Sequence, residues 1–424
     1  MGKLNDKKLK LAIDRTKDLP PLPKAISKML AVVNDEHSAA KDLADVISKD
    51  PAFTAKVLRI VNSAFYGFSE KISTVTHAVV ILGYQNIKDM ALGLSVFEIL
   101  NKKADGAVLD KDRFWQHSLG CASAARLIAD YVNYPVPEEA FVAGLLHDVG
   151  KIVFDLYLGK DFCKVIDFVK NEGMGMLDAE EKVFGINHTQ LGEQVAGKWN
   201  LPRTLKAAIR YHHQPLSSKG LGVFDQGIIS IIYLADIFCK LKGVGFGGDE
   251  VIREIDSNVW SMFNLSDSSS LRIILQIDQE VRKAYSLYGL SEKVGFIEGD
   301  EVFKGENSAK RILLIEEKLS PINICWLALS AEGYYVKRVD LENFDFNILD
   351  LDFNLVLTDS EKIKKDLTVA GISIPLAKVD KYQGSNGEDF LVSTRPRDFV
   401  KNIRELLEKE GGNKQIPRLN ETLV

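Results

Sequence analysis

The chain has 424 residues, of which 46% are hydrophobic and 27% are charged, an ordinary composition for a soluble globular protein. This length predicts two or three domains, at roughly 150 residues per domain, and it is sufficient for a core that needs no disulfide to hold it together. The formal net charge of -5 excludes the globally basic surface that attracts nucleic acids or anionic membranes.

The N-terminal segment and the cysteines indicate an intracellular protein. Residues 1–19 (MGKLNDKKLKLAIDRTKDL) are charged throughout and lack the apolar core of a signal peptide. The most apolar long stretch, 227–235, is too short to span a bilayer. The four cysteines lie far apart and form no CxxC pair, which excludes a zinc ribbon and a thioredoxin-like site. We therefore expect a cytoplasmic protein without a membrane segment.

Residues 1 to about 285 show the periodicity of amphipathic helices. Apolar residues recur three or four positions apart, as in Leu22, Ile26, Met29 and Val33. Because no strand-like alternation interrupts this region, the sequence predicts an all-α bundle. Beyond residue 70, the predicted helices are 74–82, 86–101, 111–132, 138–146, 160–171, 188–199, 203–213, 225–241, 249–263 and 268–285.

The pattern changes after residue 285. Residues 286–310 are rich in glycine and mixed charge, which predicts a linker. Residues 311–410 then alternate strand-like and helical segments, which predicts a small α/β domain with a largely parallel sheet. Its predicted strands are 311–315, 334–339, 354–358, 372–379 and 390–394, and its predicted helices are 320–332, 360–370 and 397–409. Residues 411–424 are predicted to be a flexible tail.

Several titratable residues lie on apolar helix faces. Five of the seven histidines fall between residues 117 and 213. His117, His188, His212 and Asp236 each share a face with apolar neighbours, so we expect their side chains to point inward. A single inward histidine is most often a hydrogen-bonded core residue. Several of them on separate helices, together with carboxylates, favour a metal centre between the helices, with iron, manganese, nickel or zinc as the metal.

The segment GLLHDVGK (144–151) contains the adjacent pair His147-Asp148. In a functional interpretation, Gly150 ends a helix and brings backbone close to a site, and Lys151 places a positive charge beside a bound phosphate. In a purely structural interpretation, Gly150 is a C-cap and Lys151 offsets the helix dipole. The sequence alone leaves both interpretations open.

These residues resemble the HD superfamily of metal-dependent phosphohydrolases, whose ligands follow the order His, His-Asp, Asp. The matching positions are His117, His147-Asp148 and Asp236. The resemblance implies one or two divalent ions, bridged by Asp148 if there are two.

Relatives of the HD-GYP type add histidines between the pair and the last aspartate. His188, in GINHTQLG, and His212 or His213, in YHHQP, match those positions. Gln214 stands where that family has glutamate, and no GYP tripeptide follows. These departures argue against hydrolysis of cyclic di-GMP.

A longer stretch, from Leu19 to about Tyr285, resembles the HDOD domain, an HD-related output domain of bacterial signalling proteins. The matching pieces include LPPLPKAISKML (19–30), ISKDPAFTAKVLRIVNSAFYGF (47–68), FVAGLLHDVGK (141–151) and EKVFGINHTQLGEQVAGKWNLP (181–202). The resemblance implies an N-terminal helical subdomain over 1–110 and an HD-like bundle over 111–285. Members of this family generally serve as regulatory modules without a demonstrated enzymatic activity.

Residues 311–410 resemble a receiver domain of response regulators, in a degenerate, flavodoxin-like form. The acidic pocket of a receiver would comprise Glu316, Glu317 and Asp359. The residue after the fourth strand lacks the usual hydroxyl, and Arg395-Pro396 replaces Lys-Pro. Because of these changes we do not expect magnesium there, and phosphorylation of Asp359 remains a secondary hypothesis.

Together these features predict a cytoplasmic bacterial signalling module that acts by binding signalling proteins or a nucleotide-like ligand, without nucleic-acid or membrane partners. A homo-oligomer is compatible with the sequence. The alternative is a metal-dependent phosphohydrolase that acts on a nucleotide or cyclic dinucleotide, with Lys151 contacting phosphate.

Overall fold

The computed structural model describes residues 22, 24–33, 35, 37–63, 65–68, 70–101, 108–172, 174–218, 220–249, 252, 255–288, 311–316, 324–331, 334–340, 353–358, 376–378, 381–383 and 389–391. Contacts divide the chain into two compact units. The first comprises Met1–Cys239, Val244–Asp249 and Gln276–Phe296, and the second comprises Lys240–Gly243, Glu250–Leu275 and Ile297–Val424.

Helices make up the described residues up to 288, most of them in the first unit; the helix Ser257–Phe263 belongs to the second. In chain order the helices of the described residues up to 288 are α1 (Lys24–Val33), α2 (Ala40–Ser48), α3 (Pro51–Val61), α4 (Val75–Leu82), α5 (Tyr84–Leu100), α6 (Lys111–Tyr131), α7 (Pro137–Leu146), α8 (Val149–Asn171), α9 (Met176–Phe184), α10 (His188–Lys198), α11 (Arg203–Tyr211), α12 (Val223–Lys242), α13 (Ser257–Phe263) and α14 (Asp267–Tyr288). A short 3-10 helix, Pro215–Ser218, follows α11. Among these helices, none combines the length and apolarity needed to cross a lipid bilayer.

Local capping signals begin the helices that carry the polar cluster described below. The side chain of Asp110 accepts a hydrogen bond from the backbone N–H of Arg113 and so caps α6. Asn187 and Gln190 form a reciprocal capping box at the start of α10. Gly185, in the left-handed conformation, ends α9 two residues earlier. These residues explain why the chain turns where it does.

Small residues allow the central helices of the first unit to approach closely. Helix α6 packs along α7, where a Cβ at Gly144 would lie 2.8 Å from the Cα of Ala122. A Cβ at Gly120 would lie 2.5 Å from Sγ of Cys239, which belongs to α12. Helix α6 is therefore held between α7 and α12 at backbone distances that only glycine permits.

A buried carboxylate lies in α5, away from the polar cluster. Asp89 is fully buried, and its nearest cation is Lys88, with Nζ 3.1 Å from Oδ1. Burial is the main cause that raises the pKa of Asp89 to about 7, with smaller contributions from Glu139 and Glu138. This carboxyl group is therefore half-protonated near neutral pH.

The second unit contains a four-stranded parallel sheet of order β2-β1-β3-β4. Its strands are β1 (Arg311–Glu316), β2 (Tyr335–Asp340), β3 (Leu355–Thr358) and β4 (Leu376–Lys378), and α15 (Ile324–Ala331) connects β1 to β2. Strands β5 (Lys381–Gln383) and β6 (Asp389–Leu391) pair antiparallel in a separate ribbon. The apolar runs of β1 and β3 are buried, as expected for the centre of a parallel sheet.

The helical prediction for the first two-thirds of the chain is confirmed, but some boundaries were wrong. Helix α8 begins eleven residues before the predicted 160–171 helix and has a non-helical residue at Leu158. The predicted 249–263 helix shortens to α13, and α9 was not predicted. Gly150 lies in the first turn of α8, so its proposed role in ending a helix was wrong.

Three predicted strands, 311–315, 334–339 and 354–358, correspond to β1, β2 and β3, and β4 lies within the predicted 372–379. The segment expected as a fifth parallel strand contributes β6 to the antiparallel ribbon instead. The short 380–389 connection explains this, because it suits a hairpin better than a crossover. The predicted helices 360–370 and 397–409, the linker beyond residue 288 and the tail lie outside the described residues.

Candidate metal centre

The sequence-predicted ligands come from five different places in the first unit. His117 lies on α6, His147 and Asp148 form the junction between α7 and α8, His188 begins α10, His212 and His213 follow α11, and Asp236 lies on α12. All of them are at most 4% exposed except His213, which is partly buried. The structure brings all seven side chains into one cluster.

The junction between α7 and α8 determines the positions of His147 and Asp148. A Cβ at Gly150 would collide with the carbonyl oxygen of His188, so glycine allows α8 and α10 to meet at this point. The backbone N–H of Lys151 donates to the carbonyl of Asp148, which tightens the turn. Glycine at position 150 thus brings His188 close to the His147-Asp148 pair.

The carboxylate of Asp148 lies at the centre and faces both halves of the cluster. Its Oδ1 lies 3.3 Å from Nε2 of His188 and 3.6 Å from Nε2 of His212. Its Oδ2 lies 3.3 Å from Nε2 of His147 and 3.8 Å from Nε2 of His117. One carboxylate therefore contacts two separate groups of nitrogen ligands.

The first group comprises His117, Cys121, His147 and Asp236, whose donor atoms lie within 4.8 Å of one another. Nε2 of His117 lies 3.2 Å from Oδ1 of Asp236, and Nε2 of His147 lies 3.9 Å from the same oxygen. The ligands come from three helical elements and converge on a common point. Such a set can hold one divalent transition metal.

The second group comprises Asp148, His188, His212 and His213, also with donor atoms within 4.8 Å of one another. Nε2 of His188 lies 3.4 Å from Nε2 of His212 and 3.2 Å from Nε2 of His213. This group offers three imidazoles and one carboxylate oxygen, a donor set that suits zinc, iron or nickel.

Hydrogen bonds at the outer ring nitrogens orient three of the imidazoles. Nδ1 of His147 lies 2.7 Å from the carbonyl of Gly144, and Nδ1 of His212 lies 2.9 Å from the carbonyl of Ile209. Carbonyl oxygens only accept, so both Nδ1 atoms carry the proton. Nδ1 of His188 lies 2.7 Å from Oε2 of the buried Glu180. These bonds direct the Nε2 lone pairs inward, as in metal-binding histidines.

The inward lone pairs show that the donor set fits a cation. Nε2 of His188 and Nε2 of His212 face each other at 3.4 Å. Within the described part of the chain, Nε2 of His147 and Oδ1 of Asp148 have no hydrogen-bond partner although both are buried. Unpaired buried acceptors are costly. Metal ions bound in the two groups would satisfy these atoms, so the residues fit the divalent ions that the resemblance implies.

The ionisation of the second group is the one that metal binding requires. Although burial raises the pKa of Asp148, His147 and Lys151 outweigh burial and hold that pKa well below its usual range. Burial lowers the pKa of His188 and of His212, and Lys151 lowers the pKa of His188 further. The carboxylate is therefore ionised and both imidazoles are neutral.

The first group differs from the second because the imidazole of His117 has a raised pKa. Burial alone would lower the pKa of His117, but Cys121 and Asp236 raise it to about 10. The carboxyl group of Asp236 and the thiol group of Cys121 therefore favour positive charge at His117, whether from a proton or from a metal ion.

Glu180, which contacts His188 in the second group, has a pKa that burial raises well above its usual range, although Lys151 acts in the opposite direction.

Lys151 is fully buried behind the cluster, not at its rim. Its Nζ lies 2.8 Å from Oδ2 of Asp148 and 3.4 Å from Oδ2 of Asp249. The side chain thus balances two buried carboxylates. In this position Lys151 is placed to fix Asp148, and its predicted contact with a phosphate stays a proposal.

The glycine-rich loop 244–248 lies against the cluster. A Cβ at Gly247 would lie 2.6 Å from Cδ2 and 2.8 Å from Nε2 of His117. A Cβ at Gly245 would overlap the backbone of residues 113–117. Only glycine allows this loop to lie against the imidazole.

Sequence reasoning missed four residues of this site. Cys121 was not named as a candidate ligand, and Glu180 lies in the helix that was not predicted. Asp249 and Gly247 lie in or next to the glycine-rich loop. The one available signal was the pair of glycines that bracket α9, Gly175 and Gly185, because they mark the start and end of a short helix.

The predicted receiver-like pocket is described only in part. Glu316 is buried at the end of β1, and its carboxylate pairs with Arg338 of β2 at 2.8 Å. Glu317 and Asp359 lie outside the described residues. The observed contact of Glu316 is therefore an ion pair within the sheet.

Comparison with protein families identifies one part of the helical region. The model of the HDOD domain matches residues 19–215. The chain contains an HDOD domain. An HDOD domain protein of unknown function from Geobacter sulfurreducens is 27% identical and superposes with a TM-score of 0.55, over 68% of this chain and 99% of that one.

Two other proteins extend the comparison. A protein of Marinobacter aquaeolei VT8 whose name assigns it to signal transduction is 22% identical, with a TM-score of 0.54, over 68% of this chain and 65% of that one. This likeness shows the fold alone. An uncharacterized protein of Treponema pallidum (strain Nichols) is 23% identical over 277 residues, which are 62% of this chain. The match spans about half of that curated relative, 49% of its length.

Proposed function

We propose that this HDOD protein is a cytoplasmic regulatory module of bacterial signalling that binds a protein or nucleotide-like partner, and that its helical unit holds one or two divalent transition-metal ions. The observation that carries the proposal is the burial of the cluster. His147, His188 and His212 are 0% exposed. A metal in such a closed site stabilises the fold or reports on metal availability.

The residues of the chain would share the work of holding the metal. His117, His147 and Asp236 would bind in the first group, and His188, His212 and His213 in the second, with Asp148 bridging. Glu180 orients His188, and Lys151 holds Asp148. A bound divalent ion supplies positive charge and, where a coordination position is open, lowers the pKa of water.

Metal-dependent stability tests this proposal. At a metal concentration about a hundred times the dissociation constant, the folded protein gains about 3 kcal/mol, which corresponds to a rise in Tm of roughly 6–12 °C. We expect zinc or iron to raise the Tm of chelator-treated protein by this amount. The double variant His147→Ala, Asp148→Ala should show no response, whereas His77→Ala, which alters an exposed histidine, should respond as the parent does.

A second function, metal-dependent phosphohydrolysis, is favoured by the position of Asp148, whose two carboxylate oxygens lie near different donor groups. A carboxylate shared between two donor groups is the arrangement of two-metal hydrolytic sites. In this case His117, His147, Asp148 and Asp236 bind metal, and Lys151 contacts the phosphate. The test is an assay of nucleotides and cyclic dinucleotides with added manganese or iron. A turnover rate above that of the double variant His147→Ala, Asp148→Ala supports hydrolysis, and equal rates of the two proteins contradict it.

For the C-terminal unit we propose a degenerate receiver-like, flavodoxin-like domain. The parallel order β2-β1-β3-β4 supports this, because flavodoxin-like sheets have the order 2-1-3-4-5. The pairing of Glu316 with Arg338 supports a pocket that holds no magnesium. Treatment with acetyl phosphate tests the site: phosphorylation that Asp359→Asn abolishes would indicate an active receiver, and none would indicate a domain used for protein contacts.

A further inference from the structure

A cysteine lies within the first group of candidate ligands. Cys121 follows His117 by four residues on α6, so the two side chains lie on one face, one turn apart. The thiol is completely buried, with Sγ 3.5 Å from Nε2 of His117 and 4.0 Å from Oδ1 of Asp236. The sulfur is therefore in contact with two of the residues proposed to bind metal.

These distances can be compared with those of a tetrahedral site. With metal–nitrogen and metal–oxygen bonds of about 2.0 Å and a metal–sulfur bond of about 2.3 Å, neighbouring sulfur and nitrogen ligands lie about 3.5 Å apart, and nitrogen and oxygen about 3.3 Å apart. The observed separations are 3.5 Å between Cys121 and His117 and 3.2 Å between His117 and Asp236. Two of the three separations therefore match a tetrahedral shell, and the third, 4.0 Å between Sγ of Cys121 and Oδ1 of Asp236, is about 0.5 Å longer than the spacing of neighbouring sulfur and oxygen ligands.

An independent observation points to a ligand at the same place. Nε2 of His147 is buried 3.3 Å from Oδ2 of Asp148, and among the described residues no partner lies in the direction of a hydrogen bond. The carbonyl of Gly144 takes the proton of its Nδ1, so Nε2 presents a lone pair toward the group that contains Cys121. A lone pair next to an imidazole, a carboxylate and a thiol is placed to bind a metal ion.

The second buried cysteine near His117 has a different position. Sγ of Cys239 lies 3.6 Å from Nδ1 of His117, on the far edge of the ring. It also lies 3.6 Å from the carbonyls of His117 and Val244, either of which can accept its proton. Cys239 is therefore placed to orient the imidazole, and it provides a matched control for Cys121.

We propose that Cys121 binds the metal of the first group as a thiolate, alongside His117, His147 and Asp236. This inference rests on the proposed metal centre and specifies its chemistry. On binding, the S–H bond breaks, the proton leaves to solvent, and a sulfur lone pair forms the bond to the metal, with no change of oxidation state. A thiolate selects zinc or ferrous iron and disfavours magnesium and manganese.

Cobalt substitution tests the assignment by spectroscopy. All proteins carry Cys163→Ser, because the exposed Cys163 thiol would bind cobalt adventitiously. In the cobalt-loaded parent we expect a sulfur-to-cobalt charge-transfer band in the near ultraviolet, besides the visible bands of bound cobalt. Cys239→Ser should keep the charge-transfer band, and Cys121→Ser should lose it while still binding cobalt.

The outcomes separate this inference from the proposed function. If the parent binds cobalt without a charge-transfer band, or if Cys121→Ser keeps the band unchanged, Cys121 is not a thiolate ligand. Either result leaves the proposed metal centre itself intact. A protein that binds no cobalt, zinc or iron overturns both. If Cys121→Ser does not fold, zinc-edge X-ray absorption of the parent decides, because a thiolate ligand gives a sulfur neighbour at about 2.3 Å and its absence contradicts the assignment.

Discussion

Lys151 offers a sharp test of how the buried charges are balanced. Its ammonium group is 0% exposed and contacts carboxylate oxygens of Asp148 and Asp249. Substitution Lys151→Met keeps the length of the side chain and its apolar contacts but removes the charge. Both carboxylates are then left without this buried cation. If Lys151 served instead to contact a substrate at an open site, the same change would alter stability little.

The magnitude follows from the burial of all three groups. Removing one partner of a buried ion pair costs about 3–5 kcal/mol, because the remaining charge has lost its counter-ion without regaining water. For a domain of 150–250 residues, each kcal/mol lowers the Tm by roughly 2–4 °C. We therefore expect Lys151→Met to lower the Tm of metal-free protein by roughly 6–20 °C. Metal bound at Asp148 should recover part of this loss.

Thermal unfolding monitored by circular dichroism measures this effect in chelator-treated and metal-loaded protein. Lys164→Met is the control, because Lys164 lies on the same helix, is 61% exposed and pairs with Asp161 at the surface. Such a pair contributes at most about 1 kcal/mol. Equal melting temperatures for Lys151→Met and Lys164→Met in metal-free protein would show that Lys151 does not balance the buried carboxylates.

Three further predictions concern the surroundings of the cluster. Glu180→Ala frees the imidazole that it orients and should weaken metal affinity about 10–100-fold in a competition titration. Gly247→Ala places a methyl group against His117 and should reduce bound metal, whereas Gly197→Ala, with open space around its Cβ, should not. The raised pKa of Asp89, about 7, means that the folded state holds a proton which the unfolded state releases above about pH 4. The contribution of Asp89 to stability should therefore fall by about 4 kcal/mol from pH 4 to pH 7, and urea titrations should show the stability of Asp89→Asn rising by that amount relative to wild type over the same range.

The helical-face argument anticipated much of the candidate site, because burial of one stripe is a local property of a sequence. His117, His188, His212 and Asp236 each lie among apolar neighbours at helical spacing, and the structure places all four in the interior. The prediction that they converge in one cluster with Asp148 required the resemblance to the HD superfamily. Periodicity alone does not reveal which helices pack together.

The residues that were missed depend on contacts between distant parts of the chain. Gly247 matters because its backbone touches His117, more than a hundred residues away. Glu180 was hidden in a short helix between glycines. Cys121 lies in an apolar stripe, where a thiol cannot be distinguished from any other small core residue. The β5–β6 ribbon was missed for a related reason, since apolar runs predict strands but not their pairing partners.

Elemental analysis of protein purified without chelator tests the metal centre most directly. We predict one or two equivalents of zinc or iron per chain in the parent, and their loss in the double variant His147→Ala, Asp148→Ala, with the exposed-histidine variant His77→Ala unchanged. A parent protein that contains no more metal than the double variant would contradict the account.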